Sequence, residues 1–319
     1  MGFETLLGNE QLKQNLRGAL AKGRVSHFYL ISGPEGSGKH TLARLLAAAM
    51  VCKSADRPCG SCPACRKALA NNHPDIITVD DPERKTVPVN LIRDTIADMY
   101  IRPNEADKKI YLLPRGQDME IPSQNALLKI LEEPPAYGVF LLLTTKAEKM
   151  LPTVRSRCTE LQLRPVAEQT LLPWLTQKFP DAPRQTLLAA ITRSGGYPGQ
   201  AAALVEAGAD IAPQTAEFLQ AFSVHSNFGL LKVLAALEKT PRDQVIALLE
   251  QWAACLEGAL VHRIGGNAVT PQAQQLSAAV QPRELMQAIA DLQKAIEYLQ
   301  CNVSAAAVCG WLTHALQQK

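Results

Sequence analysis

A glycine-rich loop lies between a short apolar run and a helix-forming run, and this arrangement restricts the fold more than any other feature. The loop reads GPEGSGK over residues 33–39, which fits the G-x-x-x-x-G-K pattern of phosphate-binding loops. Such a loop joins a strand to the N-terminus of a helix, where backbone N–H groups face an anion. The pattern predicts an α/β domain whose candidate nucleotide-binding residues are Gly33, Gly36, Gly38, Lys39 and Thr41.

Two departures from the pattern concern Mg²⁺ rather than phosphate. His40 stands where a Ser or Thr hydroxyl would hold Mg²⁺, and Thr41 lies about 100° further round the helix. A carboxylate is also expected after an apolar strand, but the run KIYLL at 109–113 is followed by Pro and then Arg115. The next carboxylate, Asp118, could reach the end of this strand only if the loop between them bulges. The sequence therefore predicts no ATP hydrolysis, and weak or absent binding of ATP and Mg²⁺ in this loop.

Strand-like and helix-like runs alternate along the first half of the chain. This alternation predicts a parallel sheet with helices on both faces. The nearly all-apolar run VFLLLTT is expected to be a strand buried on both sides. The predicted strands are 27–33, 75–80, 109–113, 139–145 and 159–165, and the predicted helices are 40–52, 88–101 and 123–135.

The sequence changes character after Pro165, where strand-like runs stop and Ala, Leu and Gln dominate. Residues 183–208 read as two short helices around a Gly-Gly-Tyr-Pro-Gly turn, and 284–300 as a long amphipathic helix. We predict an α/β domain at 1–164, a small helical domain at 165–208 and a helical domain at 209–319. No uninterrupted apolar run reaches the roughly 18 residues of a membrane span, so no membrane partner is expected.

Composition adds little about partners but helps to interpret the cysteines. The chain of 319 residues has 47% hydrophobic and 20% charged residues, which is typical of a globular protein. Its net charge of +3 is too small to indicate a nucleic-acid-binding surface by itself. Four of the eight cysteines are scattered, and buried thiols rather than disulfides are expected for them in a cytoplasmic protein.

The other four cysteines form a cluster with the spacing C-x6-C-x2-C-x2-C. Two C-x2-C steps let thiolates converge on one tetrahedral metal ion, and four thiolates make a closed structural zinc site. Iron–sulfur ligation uses similar spacing, and a chance group of free thiols is the third interpretation. We predict one structural Zn²⁺ that stabilises an inserted hairpin at about 52–65, with the ligands Cys52, Cys59, Cys62 and Cys65.

Five stretches together resemble bacterial DNA polymerase III clamp-loader subunits. They are SHFYLISGPEGSGKHTLA, the four-cysteine insert, HPDIITVD, NALLKILEEPP and TTKAEKMLPTVRSRC, in the family's order over residues 26–158. The resemblance implies an AAA+ domain with a zinc-binding insert, then a small helical lid and an all-α collar that joins five subunits in a ring. It also implies as partners gamma/tau ATPase subunits, a delta subunit and, through the assembled complex, the sliding clamp and primed DNA.

The departures indicate which type of subunit the chain resembles. In gamma/tau subunits, Thr follows the loop lysine and the strand before NALLK ends in Asp-Glu, whereas this chain has His40 and Arg115. The lid turn at 195–200 also lacks the arginine that the family usually places there. The resemblance therefore implies the delta-prime type: a subunit of the polymerase complex without polymerase or ATPase activity of its own. An active gamma/tau-type ATPase is the alternative.

The retained motif Ser156-Arg157-Cys158 bears on how such a subunit would act. In the family, this arginine reaches the ATP held by a neighbouring subunit, so the resemblance implies that Arg157 is an arginine finger. The alternative is that Arg157 forms only a surface ion pair. A third hypothesis for the whole chain, a stand-alone zinc-ribbon nucleic-acid binder, is disfavoured because the insert carries few basic or aromatic residues.

Overall fold

A computed structural model describes residues 2–209, 213–263, 271–301 and 303–317. Five strands form one sheet, and all of its strand pairs are parallel. Each strand and each of the three helices predicted in the first half has bounds within three residues of the prediction. The strands are β1 (Phe28–Ser32), β2 (Ile76–Thr78), β3 (Lys109–Leu113), β4 (Gly138–Thr144) and β5 (Thr159–Gln162), in the order β2-β3-β4-β1-β5.

Helices cover both faces of this sheet, which confirms the predicted α/β arrangement. Phe28 and Leu30 of β1 join the core on one face, while Tyr29 and Ile31 join the core on the other. Strand β4 is buried throughout, as its apolar run predicts. The helices of this part are α1 (Glu10–Ala21), α2 (Lys39–Val51), α3 (Pro63–Leu69), α4 (Val89–Met99), α5 (Ile121–Glu132) and α6 (Pro152–Arg155).

The rest of the described chain is helical, as the loss of strand-like runs predicts. Its helices are α7 (Glu168–Lys178), α8 (Arg184–Arg193), α9 (Pro198–Ala209), α10 (Pro213–Ser223), α11 (Asn227–Leu237), α12 (Arg242–Arg263), α13 (Pro271–Ala279), α14 (Pro282–Gln300) and α15 (Ala305–Gln317). Helices α8 and α9 flank the predicted glycine turn. In the core of the later helices, Trp252 stacks on Phe218 at 4.0 Å between ring centroids.

The chain divides into two compact units, residues 1–178 with 190–202 and residues 179–189 with 203–319. The sheet and its two cores belong to the first unit. The predicted lid at 165–208 and collar at 209–319 stay predictions, and residues 210–212 beside their common boundary lie outside the described residues.

One described helix, α12, is long and apolar enough to cross a membrane by length and composition alone. It is not an uninterrupted apolar run, because charged residues occur within it. Its side chains Val245, Leu249, Trp252 and Leu256 belong to a hydrophobic core. Core helices of globular proteins pass the same test, so α12 is weak support for a membrane span.

The buried carboxylate of Asp75, just before β2, forms hydrogen bonds with the backbone of the segment that precedes β3. Asp75 is 0% exposed, and its carboxylate accepts backbone N–H bonds from Asn104, Glu105 and Ala106 at 2.5, 2.8 and 2.8 Å. Burial raises the pKa of Asp75, but these three donors and the nearby His73 outweigh burial and lower the pKa overall. The ionised carboxylate is therefore the form that the fold stabilises.

Replacing Asp75 with Asn is expected to lower the free energy of unfolding by roughly 2–3 kcal/mol at pH 7, because hydrogen bonds to a charged acceptor are lost. Since the folded pKa is lowered, the contribution is present above the unfolded value of about 3.9. It is lost as the pH falls through the folded value. Urea unfolding from pH 7 to pH 3 measures this. The matched control Asp107→Asn, at an exposed position, should change little, and a pH-independent loss would contradict the account.

Candidate functional site

The phosphate-binding loop connects β1 to α2, as its motif requires. Gly38 caps α2 with φ 97°, a conformation that favours glycine. Lys39 is buried, and its Nζ donates to the carbonyl oxygens of Gly33 and Pro34, both at 2.7 Å. Burial lowers the pKa of Lys39, partly opposed by the charge of Glu35. The loop lysine is thus bonded to its own loop.

The first turn of α9 lies directly on this loop. The N–H of Gly199 donates to the carbonyl oxygen of Gly36 at 2.8 Å. A Cβ atom on Gly36 would collide with the backbone nitrogen of Gln200, and one on Gly199 would lie 2.7 Å from the Gly36 Cα. Both glycines are therefore needed for this close approach, which the sequence interpretation did not predict.

The loop retains groups that suit an anion. Ser37 is 3% exposed, and its Oγ has no hydrogen-bond partner among the described residues. It lies beside the N-terminus of α2, whose dipole favours negative charge. Of the predicted nucleotide-binding residues, Gly33, Gly36, Gly38 and Lys39 therefore come together, while Thr41 is exposed on α2.

The position expected to hold Mg²⁺ instead carries a guanidinium. Arg115 follows β3, and its Nε donates to Oδ1 of Asp80 at 2.6 Å. Its two terminal nitrogens donate to the backbone oxygens of Arg84 and Asp81, at 2.7 and 2.6 Å. Asp80 follows β2, so the adjacent ends of two parallel strands bring the pair together. The sequence interpretation found Arg115 but missed Asp80, although a carboxylate after the neighbouring strand was the available signal.

Asp80 of this pair also acts electrostatically on His40. Burial lowers the pKa of His40, the charges of Lys39 and Arg44 lower it further, and Asp80 opposes them. The imidazole is therefore favoured in its neutral form. Mg²⁺ prefers oxygen ligands in a near-octahedral arrangement. Neither the imidazole of His40 nor the paired guanidinium of Arg115 has an oxygen atom to offer. The residues present fit a phosphate but do not fit Mg²⁺.

The four clustered cysteines meet in space, as their spacing predicts. All four Sγ atoms lie within 4.8 Å of one another. The Sγ atoms of Cys59 and Cys65 are 3.9 Å apart, and those of Cys52 and Cys62 are 4.0 Å apart. A tetrahedral zinc ion with bonds of about 2.3 Å sets its sulfurs about 3.8 Å apart. The group fits such an ion, and none of the eight cysteines forms a disulfide.

Backbone N–H groups support the thiolates of this cluster. The N–H of Cys62 points to Sγ of Cys59, and the N–H of Cys65 points to Sγ of Cys62, both at 3.4 Å. The backbone N–H of Cys62, followed by the backbone and hydroxyl of Ser61, lowers the pKa of Cys59 to about 6. Burial raises the pKa of Cys65. A metal ion would supply the positive charge that keeps this buried thiolate ionised.

The predicted hairpin in the insert is wrong. Residues 52–62 form no strand, and Cys62 instead caps α3, with Pro63 in the first turn. Pro suits the first helical position because its missing N–H is not needed there. The insert runs into α3, and this helix packs on the sheet domain through Ala68 in the core and through an ion pair of Lys67 with Glu105 at 2.6 Å. It is therefore part of the domain rather than a separate module.

The four cysteines outside the cluster differ in burial, so the prediction that they are buried holds only in part. Cys309 is buried, whereas Cys158 and Cys255 are partly buried and Cys301 is exposed. The prediction of a buried thiol is thus wrong for Cys301, which caps the C-terminus of α14. Burial, followed by the charge of Glu160, raises the pKa of Cys158 to about 12.

Arg157 lies in a tight turn after α6. Val154 is fully buried, and the N–H of Arg157 donates to its carbonyl oxygen at 3.1 Å. One terminal nitrogen of Arg157 donates to the backbone oxygen of Thr153 at 3.0 Å, and the other donates to Oε1 of Glu132 at 2.9 Å. The Arg157 side chain is 40% exposed. The arginine therefore forms a surface ion pair and still reaches solvent.

Arg155 provides a comparison within the same turn. It pairs with Glu160 at 3.3 Å, and the other carboxylate oxygen of Glu160 accepts a bond from the Ser32 hydroxyl at 3.3 Å. The two arginines thus have similar exposure but separate carboxylate partners.

Comparison with known proteins supports the resemblance. The model of the family described as DNA polymerase III, delta subunit, matches residues 8–167. A Pseudomonas aeruginosa protein named DNA polymerase III subunit delta' is 34% identical over 56% of this chain and 55% of its own length. A Bacillus subtilis protein named DNA polymerase III subunit tau is 34% identical over 53% of this chain and 30% of its own. The chain thus spans about half or less of these relatives.

A solved structure agrees with the fold. A DNA polymerase III gamma subunit-related protein from Thermotoga maritima aligns with 97% of this chain and 99% of its own, with a TM-score of 0.50 and 16% identity. At that identity the likeness concerns the fold alone. Because the family model covers half of the sequence, the chain belongs to the DNA polymerase III delta-subunit family of clamp-loader proteins and is related to the gamma and tau subunits.

Proposed function

We propose that the chain is a delta-prime-type subunit of the DNA polymerase III clamp loader. It helps to load the sliding clamp onto primed DNA during replication, as a cytoplasmic protein in complex with gamma/tau and delta subunits. Its own nucleotide site does not hydrolyse ATP, and Arg157 acts on the ATP of a neighbouring subunit. Family membership supports the clamp-loader role, and the geometry of the phosphate loop supports the choice of subunit type.

The Arg115–Asp80 pair is the main support for the delta-prime type. A hydrolysing phosphate loop needs a Ser or Thr hydroxyl and a strand-end Asp to hold Mg²⁺. Here His40 replaces the hydroxyl, and Arg115 places a positive charge at the end of β3, where its repulsion opposes a metal cation. The nearby carboxylate, Asp80, is already paired with Arg115 at 2.6 Å.

The contact between α9 and the loop adds independent support. Gly199 bonds to the backbone of Gly36, and Lys39 is bonded to loop carbonyl oxygens. A nucleotide would have to break the Lys39 bonds and approach past the first turn of α9. The structural role of the predicted Zn²⁺ is separate, since its four cysteines leave no ligand position open for substrate.

An active ATPase of the gamma/tau type remains the second candidate. The observation that favours it is the similarity to a tau subunit, which at 34% identity equals the similarity to a delta' subunit. The two candidates differ in ATP turnover by the isolated chain, because only the gamma/tau type hydrolyses ATP in its own loop.

The isolated chain is expected to show no ATP turnover above background, because the Mg²⁺ ligands are replaced. When added to gamma/tau and delta subunits, the same preparation should complete clamp loading on primed DNA. Phosphate release and a clamp-loading assay measure the two properties. Turnover that disappears in Lys39→Ala would favour the gamma/tau type. If the assembled mixture loads clamps equally well without the chain, the clamp-loader role is wrong.

A further inference from the structure

We infer that Glu132 is a positioning residue for Arg157. Its carboxylate bonds to one terminal nitrogen of the guanidinium at 2.9 Å and so holds Arg157 in the orientation in which it meets a phosphate of the neighbouring subunit. This inference rests on the proposed function, because it assigns a role to Glu132 only if Arg157 acts as a finger.

Glu132 is carried by a well-fixed part of the fold. It is the last residue of α5. The two residues before it, Ile130 and Leu131, are buried in the core on the face of the sheet that also holds Phe28 and Leu30. Pro134 and Pro135 follow within three residues and prevent the helix from continuing. The carboxylate therefore starts from a backbone position that the core and the prolines restrict.

Helix electrostatics do not explain a carboxylate at this place. The C-terminus of a helix carries a partial negative charge and disfavours acidic side chains. Glu132 and Glu133 both stand at the C-terminus of α5, but only Glu132 is bonded to Arg157. The pairing offsets the unfavourable position of Glu132 and gives its carboxylate a function in the adjacent turn.

The hydrogen bonds of Arg157 within its own chain leave some of its N–H donors available for a phosphate. Glu132 and the Thr153 carbonyl each take one N–H, one from each terminal nitrogen, and the Ser156 hydroxyl accepts a longer bond of 3.5 Å from the nitrogen that bonds to Thr153. A guanidinium has five N–H donors, so two remain, and two suffice for a two-bond contact with a phosphate. Fixing the two ends of the planar group in advance reduces the side-chain entropy lost when phosphate binds.

The test compares Glu132→Gln with Glu133→Gln in a reconstituted complex, each also in the Arg157→Ala background. The signal is the DNA-stimulated ATP turnover that Arg157→Ala removes. Because the ion pair is partly exposed, Glu132→Gln should lower that turnover about two- to fivefold, with a smaller effect at high salt. Glu133→Gln should leave it unchanged, and complex assembly by gel filtration should be normal for both variants.

The double variants separate positioning from general damage to the fold. In the Arg157→Ala background, Glu132→Gln should cause no further loss, whereas an equal loss there would mean a merely structural role and overturn the inference. Normal or raised turnover in Glu132→Gln, with Arg157→Ala impaired, overturns the inference alone. Full activity of Arg157→Ala itself would instead overturn the proposed function, and the role of Glu132 with it.

Discussion

A complex reconstituted with Arg157→Ala is expected to assemble normally but to load clamps poorly. An arginine finger supplied in trans accelerates phosphoryl transfer by roughly 10³–10⁵ in other systems, so ATP turnover at the neighbouring site should nearly cease. In the proposed ring, total ATPase activity should fall by only a fraction, because this chain would supply an arginine to only one of the ATP sites. DNA-stimulated phosphate release and clamp loading measure the two effects.

Arg157→Lys should restore little of this activity. Lysine keeps the charge but lacks the planar fork that bonds to two phosphate oxygens at once. Arg155→Ala is the matched control, because Arg155 lies in the same turn, is ion-paired to Glu160 and is equally exposed. It should load clamps normally. If Arg157→Ala loaded clamps as well as this control, Arg157 would be only a surface charge.

Replacing Cys62 with Ser is expected to remove the metal and disorder the insert. Purified wild-type protein should contain about one zinc per chain, because the four sulfurs match a tetrahedral site. The variant should lose that zinc and unfold the insert locally, since binding of structural zinc contributes on the order of 10 kcal/mol to folding in small zinc-binding peptides. Ser can still cap α3 at this position, so the faster exchange expected for the amide protons of residues 52–69 reports the loss of the metal.

Elemental analysis and hydrogen exchange together make this a specific test. Cys301→Ser is the control, because that cysteine is exposed and outside the cluster, and it should keep both zinc and protection. The loop around Lys39 should stay protected in both variants. Wild-type protein that lacks zinc after preparation without chelators would refute the site, and stoichiometric iron would favour the iron–sulfur interpretation.

The features predicted well were those encoded by neighbouring residues. Apolar runs such as 139–145 identify strands because both faces of a parallel sheet are buried. The four cysteines were assigned to one site because their spacing alone restricts where the sulfurs can meet. The hairpin prediction is wrong for a local reason: the Cys62-Pro63 step favours the start of a helix.

The features missed depend on contacts between distant parts of the chain. Asp80 and Arg115 are brought together only because β2 and β3 are neighbours in the sheet. The contact between Gly199 and Gly36 joins the small helices to the loop across 163 positions of the sequence. A glycine in the first turn of a helix, where no capping role requires it, was the available sign of a close backbone approach.

The Arg115–Asp80 pair has a consequence for how this loop responds to its surroundings. A bound metal ion exchanges with solvent, so a site that depends on one follows the magnesium supply and the turnover of nucleotide. Here the positive charge is covalently attached and held by Asp80 and two backbone carbonyls, so it cannot dissociate. Chelators and changes in magnesium concentration should leave the ends of β2 and β3 unchanged. In the proposed clamp loader, this part of the chain would keep one structure while the loops of the ATPase subunits bind and hydrolyse nucleotide.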